Sequence, residues 1–296
     1  MNVKQVLFET TKKLKQKIKN IPHLEAEILL SYILKKPREY LFTHPEKQLT
    51  KKQIFKVRYL ISKRVKGIPV AYLIGRKQFY CLDFYVNIHV LIPRPETELI
   101  VDEVISLLRS ILTNKQKITI IDIGTGSGCV IISIIKSLQK NKCPISNIKF
   151  IASDISKPAL EVAYKNARKH KVNKYITFLN GNLLYPIINN SKFKIQNSKF
   201  IITANLPYLT PKQIKISPTI KFEPKIALLA GSDGLKYYRR IFKQLKLLNC
   251  ALCLMCEINA EQTLKFKKII NEYLPKAKIQ IKKDLKGHNR LILIKI

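Results

Sequence analysis

Asn205-Leu206-Pro207-Tyr208 is a short polar turn that closes the apolar run Lys199 to Ala204. Its residue types suit a reaction at a planar amino group. An amide nitrogen is a poor nucleophile because its lone pair is delocalised into the carbonyl. Asn205 Oδ1 and the backbone carbonyl of Leu206 can each accept one N–H bond, Tyr208 can pack on the face of the group, and Pro207 stiffens the loop. Orientation and electrostatics then carry the attack without a strong base, and the proton leaves once substitution has made the nitrogen acidic. Four residues alone read better as a proline turn ending a strand. Their position decides the matter, one strand beyond a second chemical turn.

That second turn is IIDIGTGSGC, Ile120 to Cys129, where Gly124, Gly126 and Gly128 alternate with Thr125 and Ser127. Glycines there let the backbone approach a ligand closely, and the helix that follows adds oriented N–H donors. A dinucleotide fingerprint needs its third glycine one position later, where this chain has Cys129, so the G-x-G-x-G form resembles methyltransferases instead. Asp122 precedes the turn and is read either as orienting it or as a satisfied strand-end carboxylate. Asp154, closing IASDIS, can accept both hydroxyls of a ribose, with a helix N-cap near Ser156 as the bland alternative. In LNGNLL, Asn182 stands beside Leu183 at the end of a third strand and can accept from an adenine amino group through its carbonyl.

These residues need a scaffold that brings strand ends together. After the proline-bounded segment Ile92 to Glu98 the pattern predicts a helix through about Leu112, then alternating strands and helices, which is βαβ grammar. Strands are expected at Ile118 to Ile123, Lys149 to Ser153, Ile176 to Leu179, Lys199 to Ala204, Ala251 to Ile258, Lys278 to Lys282 and Leu291 to Ile296. Helices are expected near Val130 to Leu138, Pro158 to Lys169, Tyr237 to Leu248 and Glu261 to Tyr273. The last two strands have only a turn between them, Leu285 to Asn289, so an antiparallel pairing belongs at one edge of an otherwise parallel sheet. The polar stretch Ile188 to Lys199 reads as a surface insertion. The fold class is therefore α/β: a Rossmann-like, seven-stranded, mostly parallel sheet with an antiparallel edge strand, behind a small helical bundle.

The bundle is read from Val3, Val6, Leu7, Leu14 and Ile18, then Leu24, Ile28, Leu29 and Tyr32, then Ile54, Val57, Leu60, Ile61 and Val65, with Gly67 as a helix stop. The aromatic run Phe79 to Val90 reads as a hairpin. Domain bounds follow at 1–76 for the bundle, 77–92 for the hairpin linker and 93–296 for the α/β domain.

The 296 residues suffice for such a two-domain plan, and 46% apolar with 25% charged residues is ordinary for a folded protein. MNVKQVLFETTKKLKQK carries lysines and Glu9 where a secretory signal needs an apolar core, and no apolar run reaches membrane-spanning length, so a cytoplasmic protein without a membrane partner is expected. The net charge of +36 invites a polyanionic partner, but lysine is scattered through every segment, so solvated faces explain it more simply. A ribosome-associated partner fits either way, and direct nucleic-acid binding stays open. Cys250, Cys253 and Cys256 form CxxCxxC, which on paper could hold three corners of an iron–sulfur cluster, yet no fourth ligand is nearby, residues three apart on a strand face opposite sides, and the histidines show no metal-ligand spacing. Core thiols and no metal are expected.

In order, GIPVAYLIGRKQFY, VLIPRPETELIVDEV, IIDIGTGSGC, ASDISKPALEVAYKNA, NLPYL and FEPKIALLAGSDGLKYYRRI resemble the release factor glutamine methyltransferase family, the HemK/PrmC family, over nearly the whole chain from about Glu25 onward. The resemblance implies transfer of a methyl group from S-adenosyl-L-methionine to the side-chain amide nitrogen (N5) of the glutamine in the Gly-Gly-Gln motif of class 1 peptide-chain release factors. It implies cofactor contacts from Asp122, Gly124, Thr125, Gly126, Ser127, Gly128, Asp154, Asn182, Leu183 and Asn205, and catalysis by Asn205, Leu206, Pro207 and Tyr208. Arg94, Pro95 and Glu96 would sit near the cofactor mouth, Glu223-Pro224 beside the substrate loop, and the bundle and hairpin would help dock the release factor. The chain departs from the family at Leu206, where a proline is usual, at Asn182 for Asp and at Asn259 for Gly. Asn-Leu-Pro-Tyr also resembles the motif of rRNA adenine dimethyltransferases, which keeps an rRNA or DNA adenine N6-methyltransferase as the alternative.

Overall fold

A computed structural model describes residues 1–18, 20–111, 117–190, 199–216, 220–248 and 252–296. The chain divides into two compact units, Met1–Arg76 with Pro218–Phe222, and Lys77–Ser217 with Glu223–Ile296.

The first unit holds helices α1 (Val3–Lys15), α2 (Pro22–Leu34), α3 (Glu39–Thr43), α4 (Lys51–Val65) and α5 (Val70–Ile74). Asn2 with Gln5 and Thr50 with Gln53 form capping boxes that satisfy the first N–H groups of α1 and α4. Val3, Val6 and Leu14 meet Ala26, Leu29, Leu30, Val57 and Ile61 in one core. The face of α2 differs from the expected one. Ala26, Leu29 and Leu30 are buried while Tyr32 is 39% exposed. Most positions of PHLEAEILLSYIL are apolar, so spacing alone cannot choose the inward stripe; the acids choose it. Glu25 pairs with Arg64 at 2.7 Å and Glu27 with Arg38 at 2.6 Å, which turns Leu29 and Leu30 into the core.

In the second unit, strands β1 (Arg76–Phe79) and β2 (Leu82–Tyr85) pair, and residues 86–92 follow without a strand, so the hairpin is shorter and earlier than the aromatic run suggested. Its turn residues Tyr80 (φ 50°) and Cys81 (φ 58°) are both left-handed, a geometry that usually demands Asn-Gly. Distant groups hold it. The Tyr80 N–H donates to Glu98 at 2.7 Å and its hydroxyl to Asp102 at 2.8 Å. Burial and Asp102 push the Tyr80 hydroxyl up to about 12.

The rest of the unit runs α6 (Glu98–Ile111), β3 (Ile118–Ile123), α7 (Cys129–Lys140), β4 (Ile148–Asp154), α8 (Lys157–Lys169), β5 (Ile176–Asn180), α9 (Tyr185–Ile188), β6 (Lys199–Ala204), α10 (Pro211–Ile216), α11 (Lys236–Leu245), β7 (Leu252–Glu257), α12 (Thr263–Tyr273), β8 (Lys278–Lys283) and β9 (Asn289–Lys295). The sheet order is β5-β4-β3-β6-β7-β9-β8. β9 lies antiparallel between β7 and β8, while β5 to β7 are parallel, the ending expected from the short Leu285–Asn289 connection. Alternate side chains feed two cores. Ile118, Ile120, Phe150, Cys253 and Met255 pack with α6 and α7, whereas Ile121, Ile123, Ile202, Leu254 and Cys256 pack with α11 and α12. Cys253 and Cys256 thus sit on opposite faces, and burial raises both thiols, Cys253 to about 11. Cys250 and most of the expected insertion, 191–198, lie outside the described residues. Among the described residues no helix is long and apolar enough to cross a membrane.

Candidate functional site

The chain order reverses at β3, whose neighbours β4 and β6 lead to opposite halves of the sheet, and ligands bind beyond the carboxyl ends of strands at such a point. Register makes the site a row. Ser153 is level with Ile123, Ile123 with Ala204, and Ala204 with Cys256. One residue further along each strand are Asp154, Gly124, Asn205 and Glu257, so four strand ends present chemistry at one height.

The glycine turn has the conformation its composition demands. Gly124, Gly126 and Gly128 have φ of 67°, 55° and 77°, which side chains adopt at a cost. A Cβ on Gly124 would stand 3.2 Å from Leu206 Cδ2, so the glycine turn and the asparagine turn touch. A Cβ on Gly126 would meet only the Gly124 carbonyl oxygen, at 3.9 Å, which leaves that face of the turn bare. Gly128 plays a different part. It caps α7 and lies against Ala163 of α8, where a Cβ would come within 3.2 Å, so it serves helix packing and does not line the crevice.

Asp122 is buried, accepting from the Thr125 hydroxyl at 2.6 Å and the Thr203 hydroxyl at 2.8 Å. The carboxylate is thus satisfied, and the Thr125 hydroxyl links it to the glycine turn. Burial pushes it up to about 6, against the two hydroxyl bonds that favour the charge. Asp154 accepts from the Gly126 N–H and the Ser156 N–H, each at 2.9 Å, while Ser156 itself caps α8. Burial raises this carboxyl too. Each of its oxygens keeps a lone pair for a further donor.

Asp122, Gly124, Thr125, Gly126, Ser127, Asp154, Asn182, Leu183, Asn205, Leu206 and Pro207 all line one crevice, with Arg94, Ile155 and Tyr237 among its other walls. Leu183 is left-handed (φ 54°) and accepts from the Ser153 hydroxyl at 3.4 Å. Tyr208 stands outside that lining. Its hydroxyl donates to Glu257 Oε1 at 3.2 Å, and burial with the nearby carboxylate raises its pKa. Arg94 pairs with Glu223, whose other oxygen accepts from the Ile92 N–H at 3.0 Å, so two segments expected near the site are tied to each other.

Sequence reasoning passed over four residues. Asn205 Nδ2 donates to Thr97 Oγ1 at 3.0 Å, and the Thr97 hydroxyl donates to Glu257 Oε2 at 2.6 Å. Thr97 and Glu257 are both 2% exposed, and burial raises Glu257 above the usual carboxylate range. Tyr238 donates its hydroxyl to the Glu257 carbonyl oxygen. A carboxylate ending the otherwise apolar strand LCLMCE was the available signal, since a buried charge needs partners. Asn166, fully buried on α8, accepts from the Tyr85 N–H and donates to the carbonyls of Tyr85 and Ser127, pinning the glycine turn to β2.

Residues 5–75 match the PrmC N-terminal domain and residues 114–285 a methyltransferase domain. A release factor glutamine methyltransferase of Dictyoglomus turgidum is 33% identical over 99% of this chain and 98% of its own length. Another, from Bacillus subtilis, is 33% identical over 90% of this chain and 89% of its own. A bifunctional methyltransferase of Rickettsia prowazekii is 36% identical over 99% of this chain, which spans 57% of that relative's length. In structure, the hMettl16 catalytic domain in complex with MAT2A 3'UTR hairpin 6 matches 79% of this chain and 81% of its own at 15% identity and a TM-score of 0.53. The N-terminal domain of human METTL16 in complex with SAH matches 90% of this chain and 93% of its own at 13% identity and a TM-score of 0.51. At those identities the likeness is one of fold.

Proposed function

The chain belongs to the release factor glutamine methyltransferase family, and we propose that it methylates the N5 amide nitrogen of the glutamine in the Gly-Gly-Gln motif of class 1 peptide-chain release factors, in the cytoplasm, with S-adenosyl-L-methionine as donor. The contact of Leu206 with Gly124 carries this reading, because it sets an amide-gripping turn against a ligand-binding turn.

The residues present fit that cofactor. The bare face at Gly126 leaves room for a ligand to pass close to backbone, Asp154 would offer its remaining lone pairs to ribose hydroxyls, and Asn182 and Leu183 line the same crevice. When bound, the cofactor supplies an electrophilic sulfonium methyl. Asn205, with Nδ2 committed to Thr97, offers Oδ1 to one N–H of the substrate amide, and the Leu206 carbonyl takes the other. Held so by Asn205 and Leu206, the amide nitrogen would face the crevice whose Asp154, Asn182 and Leu183 would hold the group that supplies the methyl. The nitrogen then sheds a proton. Tyr208 steadies the turn through Glu257. On the same reading residues 1–76 dock the release factor, supported by the match to the PrmC N-terminal domain.

Mass spectrometry of a release factor and of naked rRNA, after incubation with the purified protein and isotopically labelled S-adenosylmethionine, tests the substrate. Label on the Gly-Gly-Gln glutamine is expected. Label on adenine instead overturns the reading in favour of an adenine N6-methyltransferase.

A further inference from the structure

Glu257, Thr97 and Asn205 form a directed chain of hydrogen bonds whose sense is fixed at one end. An ionised carboxylate only accepts, and Glu257 takes one hydroxyl on each oxygen, Thr97 on Oε2 and Tyr208 on Oε1. A threonine hydroxyl has a single hydrogen. Once that hydrogen is given to Glu257, Thr97 Oγ1 can only accept from whatever lies on its other side. The group lying there is the Asn205 amide, which must turn its NH2 to Thr97 and its Oδ1 away. An asparagine amide has no such preference of its own, because its two ends are nearly the same shape.

We infer that Glu257 and Thr97 are positioning residues whose hydrogen-bond polarity holds the Asn205 carbonyl oxygen toward the acceptor amino group, and that transfer requires Glu257 ionised. The inference rests on the amide-gripping role proposed above for Asn205. Reversal is easy to specify. A protonated Glu257 can donate to Thr97, Thr97 then donates to Asn205, and the amide that satisfies this arrangement presents NH2 to a substrate that itself brings N–H groups. Donor would face donor, and the grip is lost.

Several groups bear on that ionisation. Burial opposes it most, and Glu96 opposes it through space; the hydroxyls of Thr97 and Tyr208 and the charge of Arg290 favour it. Tyr238, its hydroxyl raised and so neutral, donates to the Glu257 main-chain carbonyl, and the Cys129 thiol is itself raised to about 12 and so neutral. The balance leaves Glu257 above the usual carboxylate range, so an acid limb from this group lies at higher pH than an exposed glutamate would give. Asp122, pushed up to about 6 by burial, can give an acid limb of its own that must be separated from this one.

The test uses the full chain, the acceptor that wild type methylates, and labelled S-adenosylmethionine, with kcat, KM, cofactor affinity by calorimetry and the pH–kcat profile as readouts. Thr97→Val should lower kcat about 10- to 100-fold, the size of a misplaced positioning group, with cofactor affinity moving less than about threefold. Thr97→Ser, which restores a single-hydrogen hydroxyl, should recover most of that loss. Glu257→Gln can accept on one oxygen only and should lose the acid limb, whereas Asp122→Asn should keep it. Wild-type kcat in Thr97→Val, or a wild-type profile in Glu257→Gln, overturns the inference; should Glu257→Gln not fold, the Thr97 pair decides alone. Transfer to adenine by wild type would overturn the glutamine assignment while leaving the relay to be judged on that amino group. Absence of transfer to either overturns both.

Discussion

The two turns that meet at the sheet edge are built by different means. The glycine turn is fixed mostly by its own residues: three left-handed glycines and a hydroxyl three residues from its carboxylate partner, with the Gly126 N–H handed to Asp154 and the Ser127 carbonyl to Asn166 as its ties to α8 and the next strand. The asparagine turn holds nothing together by itself. Asn205 is anchored by a threonine 108 residues away, which is anchored by a glutamate 160 residues from it. Its following strand-like residue, Leu209, is pinned by Leu228 and Ala230, and the Tyr208 carbonyl accepts from Gln262 at 2.9 Å. A turn that must bind the same ligand every cycle can be stored locally. One that must present two acceptors at a fixed angle to a nitrogen needs support from outside, because small displacements there cost rate steeply.

The comparison requires that damage to the two turns read out differently. Asn205→Ala removes the acceptor and should lower kcat by about a thousandfold, near the upper cost of losing one oriented polar group at a reacting centre. Calorimetry with S-adenosylmethionine should find its affinity within about threefold of wild type. Loss of both binding and turnover would show that the turns are one functional unit, and loss of neither would remove Asn205 from the chemistry.

Gly124→Val is the opposite experiment. A β-branched residue at φ 67° is strained, and its Cβ would press on Leu206. Cofactor affinity should fall by at least about tenfold, from strain of about 1–3 kcal/mol at such a position, and saturating cofactor should recover most of the rate. If kcat falls as far as in Asn205→Ala, the contact with Leu206 transmits more than local damage.

How much could be read from the chain follows the same division. The glycine turn, Asp122, Asp154 and the strands leading to them were legible, because spacing within a few residues specifies them. Asn205 was legible by its position after a strand. Thr97 and Glu257 were not, since nothing local marks a threonine in IPRPETE or a glutamate ending an apolar strand as partners of one amide. The same reason defeats the hairpin bounds: Tyr80-Cys81 is held left-handed by Glu98 and Asp102, not by its own residue types. The inward face of α2 was set by ion pairs that a nearly uniform apolar segment does not announce.

Asp122 belongs to both turns, bridging Thr125 of one and Thr203 on the strand that leads to the other. Its raised pKa of about 6 has a definite sign for stability. The folded state binds the proton more tightly than the unfolded chain, so ionisation costs stability at every pH above about 6, and the cost vanishes as pH falls toward the ordinary aspartate value. Asp122→Asn should therefore stabilise the protein at pH 7.5 by about 2 kcal/mol, taking the shift at 1.36 kcal/mol per unit with some allowance for relaxation. Denaturant melts at pH 7.5 and pH 4 check this. An advantage that persists at pH 4 would mean that the charge is not the source of the cost.

The smallest effect is expected at Leu206, where the family usually has proline. The proposed use of this residue is its backbone carbonyl, which proline keeps. Its side chain is 3% exposed and covers Gly124, and its N–H approaches the Tyr238 hydroxyl. Proline gives up that N–H and part of the packing, at about 1 kcal/mol each, while stiffening the loop from the unfolded side by somewhat less. Leu206→Pro should then lower stability by about 1 kcal/mol and change kcat by no more than about threefold, read by denaturant melts and initial rates on the release factor. A large fall in kcat at unchanged cofactor affinity would mean that the asparagine turn of this chain depends on leucine packing as well as on Glu257 and Thr97, so that its external support extends to the glycine turn itself.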